Sequence, residues 1–220
     1  MVKAVVFDLW QTLAAWPEQN SVELRQEWSR SLGVSPRALD ELWDGDELYR
    51  LRETGPIAGA IAALHERLGA DTDVEELLVR RIDVTRAALV PVPGALPTLA
   101  ELRRRGTATA LVSNCTEEVP LVWDESRFAG LLDVTIFSAR AGYVKPDRRI
   151  YELACASLSV EPSECLFVGD GANGELEGAA RVGMTPVLIH PPGEQPPWDG
   201  LQSWSGLRIT SIPQVLDLLA

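Results

Sequence analysis

The sequence predicts an α/β fold, in which a mostly parallel sheet is flanked by helices and a helical segment is inserted after the first strand. Short, continuous apolar runs rich in β-branched residues are typical of parallel strands that are buried on both faces. Helical patterns alternate with the later runs, whereas residues 16–90 contain helical patterns only. The predicted strands are residues 5–7, 108–112, 134–137, 166–168 and 186–189.

Apolar spacing identifies the helices between the strands. Residues 95–105 carry leucines at three-residue intervals and end before Gly106, and glycine commonly follows a helix C-terminus. Residues 150–158 and 176–182 have similar spacing. Strands that alternate with helices predict βαβ units, and such units build parallel sheets.

The inserted segment has helical spacing throughout and is punctuated by glycine. A Pro-Val-Pro-Gly run at residues 91–94 marks the return to the sheet. We therefore predict an α/β core domain formed by residues 1–15 and 91–220, and a helical domain formed by residues 16–90. The insert's predicted helices are 22–32, 36–52, 57–68 and 74–89. The C-terminal part has a proline-rich stretch at 191–197, a predicted strand at 207–209 and a predicted helix at 212–219.

Composition narrows the class of protein. The 220 residues have a net charge of −12, which argues against nucleic acid or an anionic membrane as the main partner but allows a small anionic substrate. Three cysteines without CxxC spacing indicate a reducing compartment. The first apolar run is too short for a signal peptide, and no stretch approaches the roughly 18 residues of a membrane span. We expect a cytoplasmic monomer or homodimer that acts on a small molecule.

Polar side chains follow the predicted strands at four places along the chain. Asp8 comes directly after the first strand, Ser113-Asn114 after the second, Lys145 after the third and Asp170 after the fourth. Ligands of parallel α/β sheets bind outside the carboxyl ends of the strands. Each position has an ordinary explanation when taken alone, since an aspartate after a strand is more often a turn former. Their joint order along the chain favours a shared site.

This ordered set of motifs resembles the haloacid dehalogenase superfamily. The resemblance implies a Rossmann-like parallel sheet with the strand of Asp8 at its centre, and the helical segment 16–90 occupies the place of that family's cap domain. The matching segments are Val-Phe-Asp-Leu-Trp-Gln-Thr-Leu at 6–13, Leu-Val-Ser-Asn at 111–114, Val-Lys-Pro-Asp at 144–147, and Phe-Val-Gly-Asp at 167–170 followed by Glu175.

The resemblance implies a nucleophile and a metal ion. Asp8 would attack an electrophilic phosphorus or carbon and form an aspartyl ester, which divides one difficult step into two. The carboxylates of Asp8 and Asp170 and the backbone carbonyl of Trp10 would hold Mg²⁺, an ion that prefers oxygen ligands. The ion would offset charge between the nucleophile and an anionic substrate.

Other residues of the motifs receive supporting roles from the same resemblance. Lys145 would offset the two carboxylates and contact the transferring group, and Ser113 would donate a hydrogen bond to that group. Asn114 would bind substrate, and Asn173 would lie just outside the metal ligands. Glu175 would orient waters on the metal, although an acid in the first turn of a helix also has a purely structural explanation.

Two positions depart from the family pattern. Trp10 stands where the family's phosphatases carry a second aspartate, and an indole can donate a hydrogen bond but cannot transfer a proton near neutral pH. A missing general acid costs roughly 10²- to 10⁴-fold in rate, and least where the leaving group is already a stable anion. Gln11 stands where the family usually has a glycine, and a glycine often marks a positive φ. We expect Gln11 to reshape the entrance of the active site.

Three functions remain open from the sequence. The favoured one is a Mg²⁺-dependent phosphohydrolase or phosphotransferase that acts on good leaving groups such as acyl phosphates. A dehalogenase would explain an aromatic residue at Trp10, because halide needs no proton, but the loop at 169–173 resembles the metal-binding version. A non-catalytic binding or regulatory protein is the third, and the retained Asp8, Ser113, Lys145 and Asp170 argue against it.

Aromatic and basic residues of the insert have two possible roles. Its tryptophans could line a substrate pocket, although packing between helices is the favoured explanation. Its arginines could meet an anionic substrate, although single charges on helices are usually solvated. The residues concerned are Trp16, Trp28, Trp43, Arg25, Arg37 and Arg50.

Overall fold

The computed structural model describes residues 1–16, 18–70, 73–190, 201 and 204–219. Within this part of the chain, a six-stranded parallel sheet has the order β3-β2-β1-β4-β5-β6, so that β1 is central between β2 and β4. This confirms the predicted α/β fold. The strands are β1 (Ala4–Phe7), β2 (Ala108–Ser113), β3 (Val134–Phe137), β4 (Cys165–Gly169), β5 (Thr185–Ile189) and β6 (Leu207–Ile209).

The central strand is buried on both faces. Val5 and Phe7 pack into one apolar layer, whereas Ala4 and Val6 pack into the layer on the opposite side, as the alternation of side chains along a strand requires. All four are fully buried. Both layers therefore need apolar residues, which explains why the strand is a continuous apolar run rather than an alternating one.

Helices cover the two faces of the sheet and fill the insert. In chain order they are α1 (Glu18–Ser31), α2 (Pro36–Trp43), α3 (Asp46–Glu53), α4 (Ile57–Leu68), α5 (Val74–Ala88), α6 (Ala95–Arg104), α7 (Glu118–Val122), α8 (Ser138–Ala141), α9 (Arg148–Leu158) and α10 (Glu175–Val182). Helix α6 and a C-terminal 3₁₀ helix (Ile212–Leu219) pack on one face, and α9 and α10 pack on the other.

The insert comprises α1 to α5 and has an apolar cluster of its own, centred on Trp28 and Trp43. It meets the rest of the chain where α5 packs on α7 and α3 packs on α8. The single helix predicted over residues 36–52 is wrong, because the chain turns between α2 and α3. At Gly45 the backbone is extended (φ −65°, ψ 146°), and a Cβ there would lie 3.2 Å from the carbonyl oxygen of Leu42.

The predictions for the C-terminal part of the chain have different outcomes. The strand at 207–209 is confirmed as β6, and the last helix is present but has 3₁₀ geometry. The proline-rich stretch at 191–197 lies outside the described residues. Among the helices that the structure describes, none is both long and apolar enough to cross a membrane.

Candidate active site

The central strands bring two aspartates together at the carboxyl edge of the sheet. Asp8 follows β1 and Asp170 follows β4, and the two strands are hydrogen-bonded neighbours. The amide of Asp8 donates to the carbonyl oxygen of Val168 at 2.9 Å, which fixes the backbone of Asp8 against β4. Carboxylate oxygens of Asp8, Asp170 and Glu175 all lie within 4.8 Å of one another, and the three residues are buried.

Lys145 supplies a positive charge inside this acidic cluster. Its Nζ lies 2.5 Å from Oδ1 of Asp8 and 2.5 Å from Oε2 of Glu175, and the residue is 4% exposed. Burial lowers the pKa of Lys145, but the two carboxylates raise it by more, so the net direction is upward and the ammonium stays charged. Asn114 holds the lysine's backbone in place, since its Oδ1 accepts from the Lys145 amide at 2.7 Å and its Nδ2 donates to the Lys145 carbonyl at 3.1 Å.

Glu175 is both the first residue of α10 and a full member of the cluster. Burial raises its pKa to about 8, an effect that Lys145 counteracts and that Asp8 and Asp170 increase. Its Oε1 accepts from the amide of Gly171 at 3.0 Å. The carboxylate packs against Gly169 so closely that a Cβ at this position would collide with it. The side chain therefore belongs to the site rather than to the surface of the helix.

The donor set fits a hard divalent cation. Three buried carboxylates exceed the single positive charge of Lys145, and buried carboxylates without compensating charge are costly. Oxygen ligands of this kind are those that Mg²⁺ prefers. Oδ1 of Asp170 also accepts from the amide of Ala172 at 3.1 Å, which orients the carboxylate.

A cavity of about 430 Å³ opens beside this cluster, and we call it the reaction cavity. Ser113 is not among the residues that line it: the residue is fully buried, and its Oγ donates to the carbonyl oxygen of Asn114 at 3.3 Å. The structure therefore does not bring Ser113 to the cavity surface, unlike the other site residues predicted from sequence. Those that line it are Asp8, Trp10, Asn114, Lys145, Asp170, Asn173 and Glu175.

The two positions that depart from the family pattern lie in the cavity wall. The ring of Trp10 packs edge-to-face on Trp16, with the ring centroids 5.4 Å apart, and both residues line the reaction cavity together with Asp8. Gln11 has a φ of +59°, the left-handed backbone that a glycine would adopt most easily, and its amide donates to the carbonyl oxygen of Ala14 at 2.7 Å. Gln11 is exposed and is one of the residues that line the reaction cavity.

Helix α3 contributes residues that the sequence analysis missed. Tyr49, Arg52 and Glu53 all line the reaction cavity. The hydroxyl of Tyr49 accepts from Nδ2 of Asn114 at 3.4 Å, and the guanidinium of Arg52 lies over the ring of Trp43, 4.9 Å from its centroid. Their spacing of three and four residues places them on one helix face. That spacing was visible in the sequence, but nothing in it indicated that this face meets the sheet edge.

A second cavity, of about 160 Å³, adjoins the first, and we call it the side chamber. It extends between α1, α5 and α7. The wall that the two cavities share is formed by Trp10, Trp16, Arg52, Glu53 and Asn114.

The aromatic and basic residues of the insert divide between core and cavity. Trp28 and Trp43 are buried and pack edge-to-face with centroids 4.7 Å apart, which confirms the packing role; Trp43 also lines the side chamber. Trp16 instead lines both cavities and is half exposed. Arg25 lines the side chamber while paired with two aspartates, and Arg37 is exposed and paired with a glutamate. Arg50 lies outside both cavities.

Sequence comparison relates the chain to known enzymes. The profile of the haloacid dehalogenase-like hydrolase family matches residues 2–183. Glyceraldehyde 3-phosphate phosphatase of Methanopyrus kandleri is 30% identical over 203 residues, which cover 86% of this chain and 84% of that protein. (S)-2-haloacid dehalogenase 1 of Pseudomonas sp. strain CBS-3 is 30% identical over 202 residues, which cover 86% of this chain and 85% of that one.

Solved structures show the same architecture. A HAD phosphatase from Thermococcus onnurineus superposes with a TM-score of 0.74 at 24% identity, covering 100% of this chain and 98% of that one. L-2-haloacid dehalogenase from Xanthobacter autotrophicus gives a TM-score of 0.70 at 20% identity, with the same coverage. At these identities the likeness establishes the fold, and the profile match establishes the relationship. The chain belongs to the haloacid dehalogenase-like hydrolase family.

Proposed function

We propose that this hydrolase is a Mg²⁺-dependent phosphohydrolase that transfers a phosphoryl group from a small anionic substrate to Asp8 and then to water. The observation that carries the proposal is the buried lysine bonded to Asp8 within a cluster of three carboxylates beside an open cavity. A relative at 30% identity is named as a glyceraldehyde 3-phosphate phosphatase, which supports a phosphate ester or anhydride as substrate.

Under this proposal the chain's own residues perform distinct tasks. An oxygen of Asp8 attacks phosphorus and displaces the leaving oxygen, and water later attacks the aspartyl phosphate. Lys145 orients Asp8 and offers an ammonium hydrogen to the phosphoryl oxygens as their charge develops. Asp8, Asp170 and the backbone carbonyl of Trp10 would hold the ion. When bound, Mg²⁺ would neutralise charge between the attacking carboxylate and the phosphoryl group.

We also propose that residues 16–90 form a cap domain over a core of residues 1–15 and 91–220. Support comes from the insert's own apolar cluster and from the position of α3, which supplies Tyr49 and Arg52 to the reaction cavity. A cap in this position excludes water from the reaction, and electrostatic interactions become stronger where water is excluded. Asn114 ties the two parts together through its bonds to Tyr49 and Lys145.

Dehalogenation is the second candidate. It is supported by the aromatic ring of Trp10 beside Asp8 and by the relative named as an (S)-2-haloacid dehalogenase. The acidic cluster is the argument against it. A halo acid brings its own carboxylate to a cluster in which three buried carboxylates already surround one lysine, and a bound cation would offset that excess of negative charge.

Phosphate release from acetyl phosphate tests the proposal. We expect release that requires Mg²⁺, is abolished in Asp8→Asn, and is unchanged in Asp83→Asn, an exposed aspartate of α5 paired with Arg86. Intact mass after rapid quenching should show the phosphorylated chain in the wild type. Halide release from 2-chloropropionate in EDTA would show that the chain is a dehalogenase and would overturn the proposal. No turnover of either substrate would favour the non-catalytic alternative.

A further inference from the structure

Glu53 is the last residue of α3 and stands in the wall between the reaction cavity and the side chamber. Its side chain is 10% exposed. Oε1 lies 3.5 Å from Nε of Arg52, whereas Oε2 has no hydrogen-bond partner among the described residues. A buried carboxylate oxygen without a partner costs about 1–3 kcal/mol, so this oxygen favours either a proton or a donor from a ligand.

Burial favours the protonated form of Glu53, and the charges around it do not reverse that preference. Burial raises its pKa to about 7; Arg52 counteracts this effect, the neighbouring Glu118 of α7 adds to it, and Arg81 of α5 opposes it. Both arginines also bond to other groups. Arg81 bonds to Glu118 at 2.5 Å, and Arg52 bonds to Asp44 at 3.0 Å and to the backbone of α2. Near neutral pH the carboxyl group is therefore able both to donate a proton and to accept one.

Glu53 lines the same cavity as the nucleophile Asp8. In-line displacement places the leaving oxygen on the side of phosphorus opposite Asp8. Asp8 lines the reaction cavity, and Glu53 and Trp10 line both that cavity and the side chamber, so a leaving group directed towards the side chamber would lie beside the Glu53 carboxyl. Trp10 and Trp43 give this chamber an apolar lining beside the carboxyl group, where a proton transfer is shielded from water.

We propose that Glu53 is the acid–base residue for the leaving group, in place of the aspartate that position 10 lacks. The proposal rests on the phosphohydrolase function above. As the Asp8–phosphorus bond forms and the ester P–O bond breaks, the Glu53 proton moves to the leaving oxygen and an alcohol departs. Water then attacks the aspartyl phosphate and gives its proton to Glu53, and phosphate and Asp8 separate. The substrates therefore include phosphate monoesters of ordinary alcohols as well as acyl phosphates.

The test compares leaving groups in Glu53→Gln. Rapid-quench measurements would follow phosphorylation of the chain by acetyl phosphate, whose leaving group needs no proton, and by phenyl phosphate and glycerol phosphate, whose leaving groups do. We expect the variant to keep its phosphorylation rate with acetyl phosphate, to accumulate the phosphorylated form, and to lose about 10²- to 10⁴-fold with both esters. The alkaline limb of the ester pH profile should also disappear.

Two further variants separate an acid–base role from a structural one. Glu47→Gln on the same helix, an exposed residue paired with Arg67, should match the wild type with all three substrates. Adding Trp10→Asp to Glu53→Gln should restore ester activity. Equal losses with acetyl phosphate and the esters, no loss with the esters, or a wild type that reacts with acetyl phosphate alone would overturn the inference. A wild type that acetyl phosphate does not phosphorylate would overturn the proposed function itself.

Discussion

Replacing Lys145 with methionine tests the charge balance on which the site depends. The substitution keeps an unbranched side chain of similar reach and removes the ammonium group. In the wild type that group bonds to Asp8 and Glu175 at 2.5 Å each, within a cluster that also contains Asp170. In the variant, three buried carboxylates would face one another with no countercharge from the lysine.

The expected loss is about 3 kcal/mol in the free energy of unfolding near pH 7 without metal, because breaking a buried ion pair by removing one partner costs about 3–5 kcal/mol. The lower end applies because Glu175, whose pKa is already raised to about 8, can take up a proton. A carboxyl group whose folded pKa lies above its unfolded value loses stability as pH rises through the folded pKa. The loss in free energy of unfolding of the variant relative to the wild type should therefore grow towards pH 9 and shrink towards pH 5.

Urea unfolding followed by tryptophan fluorescence measures this difference, in EDTA and in saturating Mg²⁺. A bound cation replaces part of the lost charge, so Mg²⁺ should stabilise the variant. The control is Lys3→Met, which breaks a surface pair with Glu164 whose N–O distance is 2.6 Å and should cost at most about 1 kcal/mol. If Lys145→Met lies within 1 kcal/mol of the wild type near pH 7 in EDTA, the proposed charge balance is refuted.

Three further predictions concern stability and metal binding. Glu53 has a folded pKa of about 7 against the usual 4.5, so the stability it contributes is present below pH 4.5 and lost as pH rises through 7. Above pH 8, the free energy of unfolding of Glu53→Gln, measured with urea, should exceed that of the wild type by up to about 3 kcal/mol. An unchanged dependence of that free energy on pH would contradict this prediction. Gln11→Gly relieves a positive φ and should raise the free energy of unfolding by about 1 kcal/mol, whereas a lower melting temperature would show that Gln11 is not strained. Gly169→Ala places a methyl group against the Glu175 carboxylate and should weaken Mg²⁺ binding about 10- to 100-fold by calorimetry, and unchanged affinity would exclude Glu175 from the metal environment.

The sheet could be predicted because its strands are buried on both faces. Such strands are continuous apolar runs, and the observed β3 has the predicted bounds at 134–137. The core half of the site followed from the same pattern, since Asp8 and Asp170 come directly after adjacent strands. The turn at Gly45 that separates α2 from α3 was harder to detect, because the apolar spacing of the two helices continues through it.

The other half of the site lies beyond what a single sequence contains. Helical spacing shows that Tyr49 and Glu53 share a face of α3, but it does not show which surface that face meets. An Arg-Glu pair at the end of a helix is usually solvated, and only the structure shows that Arg52 and Glu53 are buried here. Ser113 shows the converse: its place at the end of the predicted second strand suggested the site, yet its hydroxyl bonds to the backbone carbonyl of Asn114.

The proposed roles of positions 10 and 53 assign proton transfer to a different part of the chain. In the family's phosphatases the acid sits two residues after the nucleophile, in the core, and is present whether or not the cap is closed. Here the acid that we infer is on α3, which contacts α8 and is joined to Asn114 through the hydroxyl of Tyr49. Any motion that lifts α3 would remove Glu53 from the leaving oxygen while Asp8, Lys145 and Asp170 stay in place. Weakening that contact should therefore slow phosphorylation of Asp8 by alcohol esters before it slows phosphorylation by acyl phosphates. Tyr49→Phe, which removes the hydroxyl but keeps the ring, is the variant in which this order of losses can be measured.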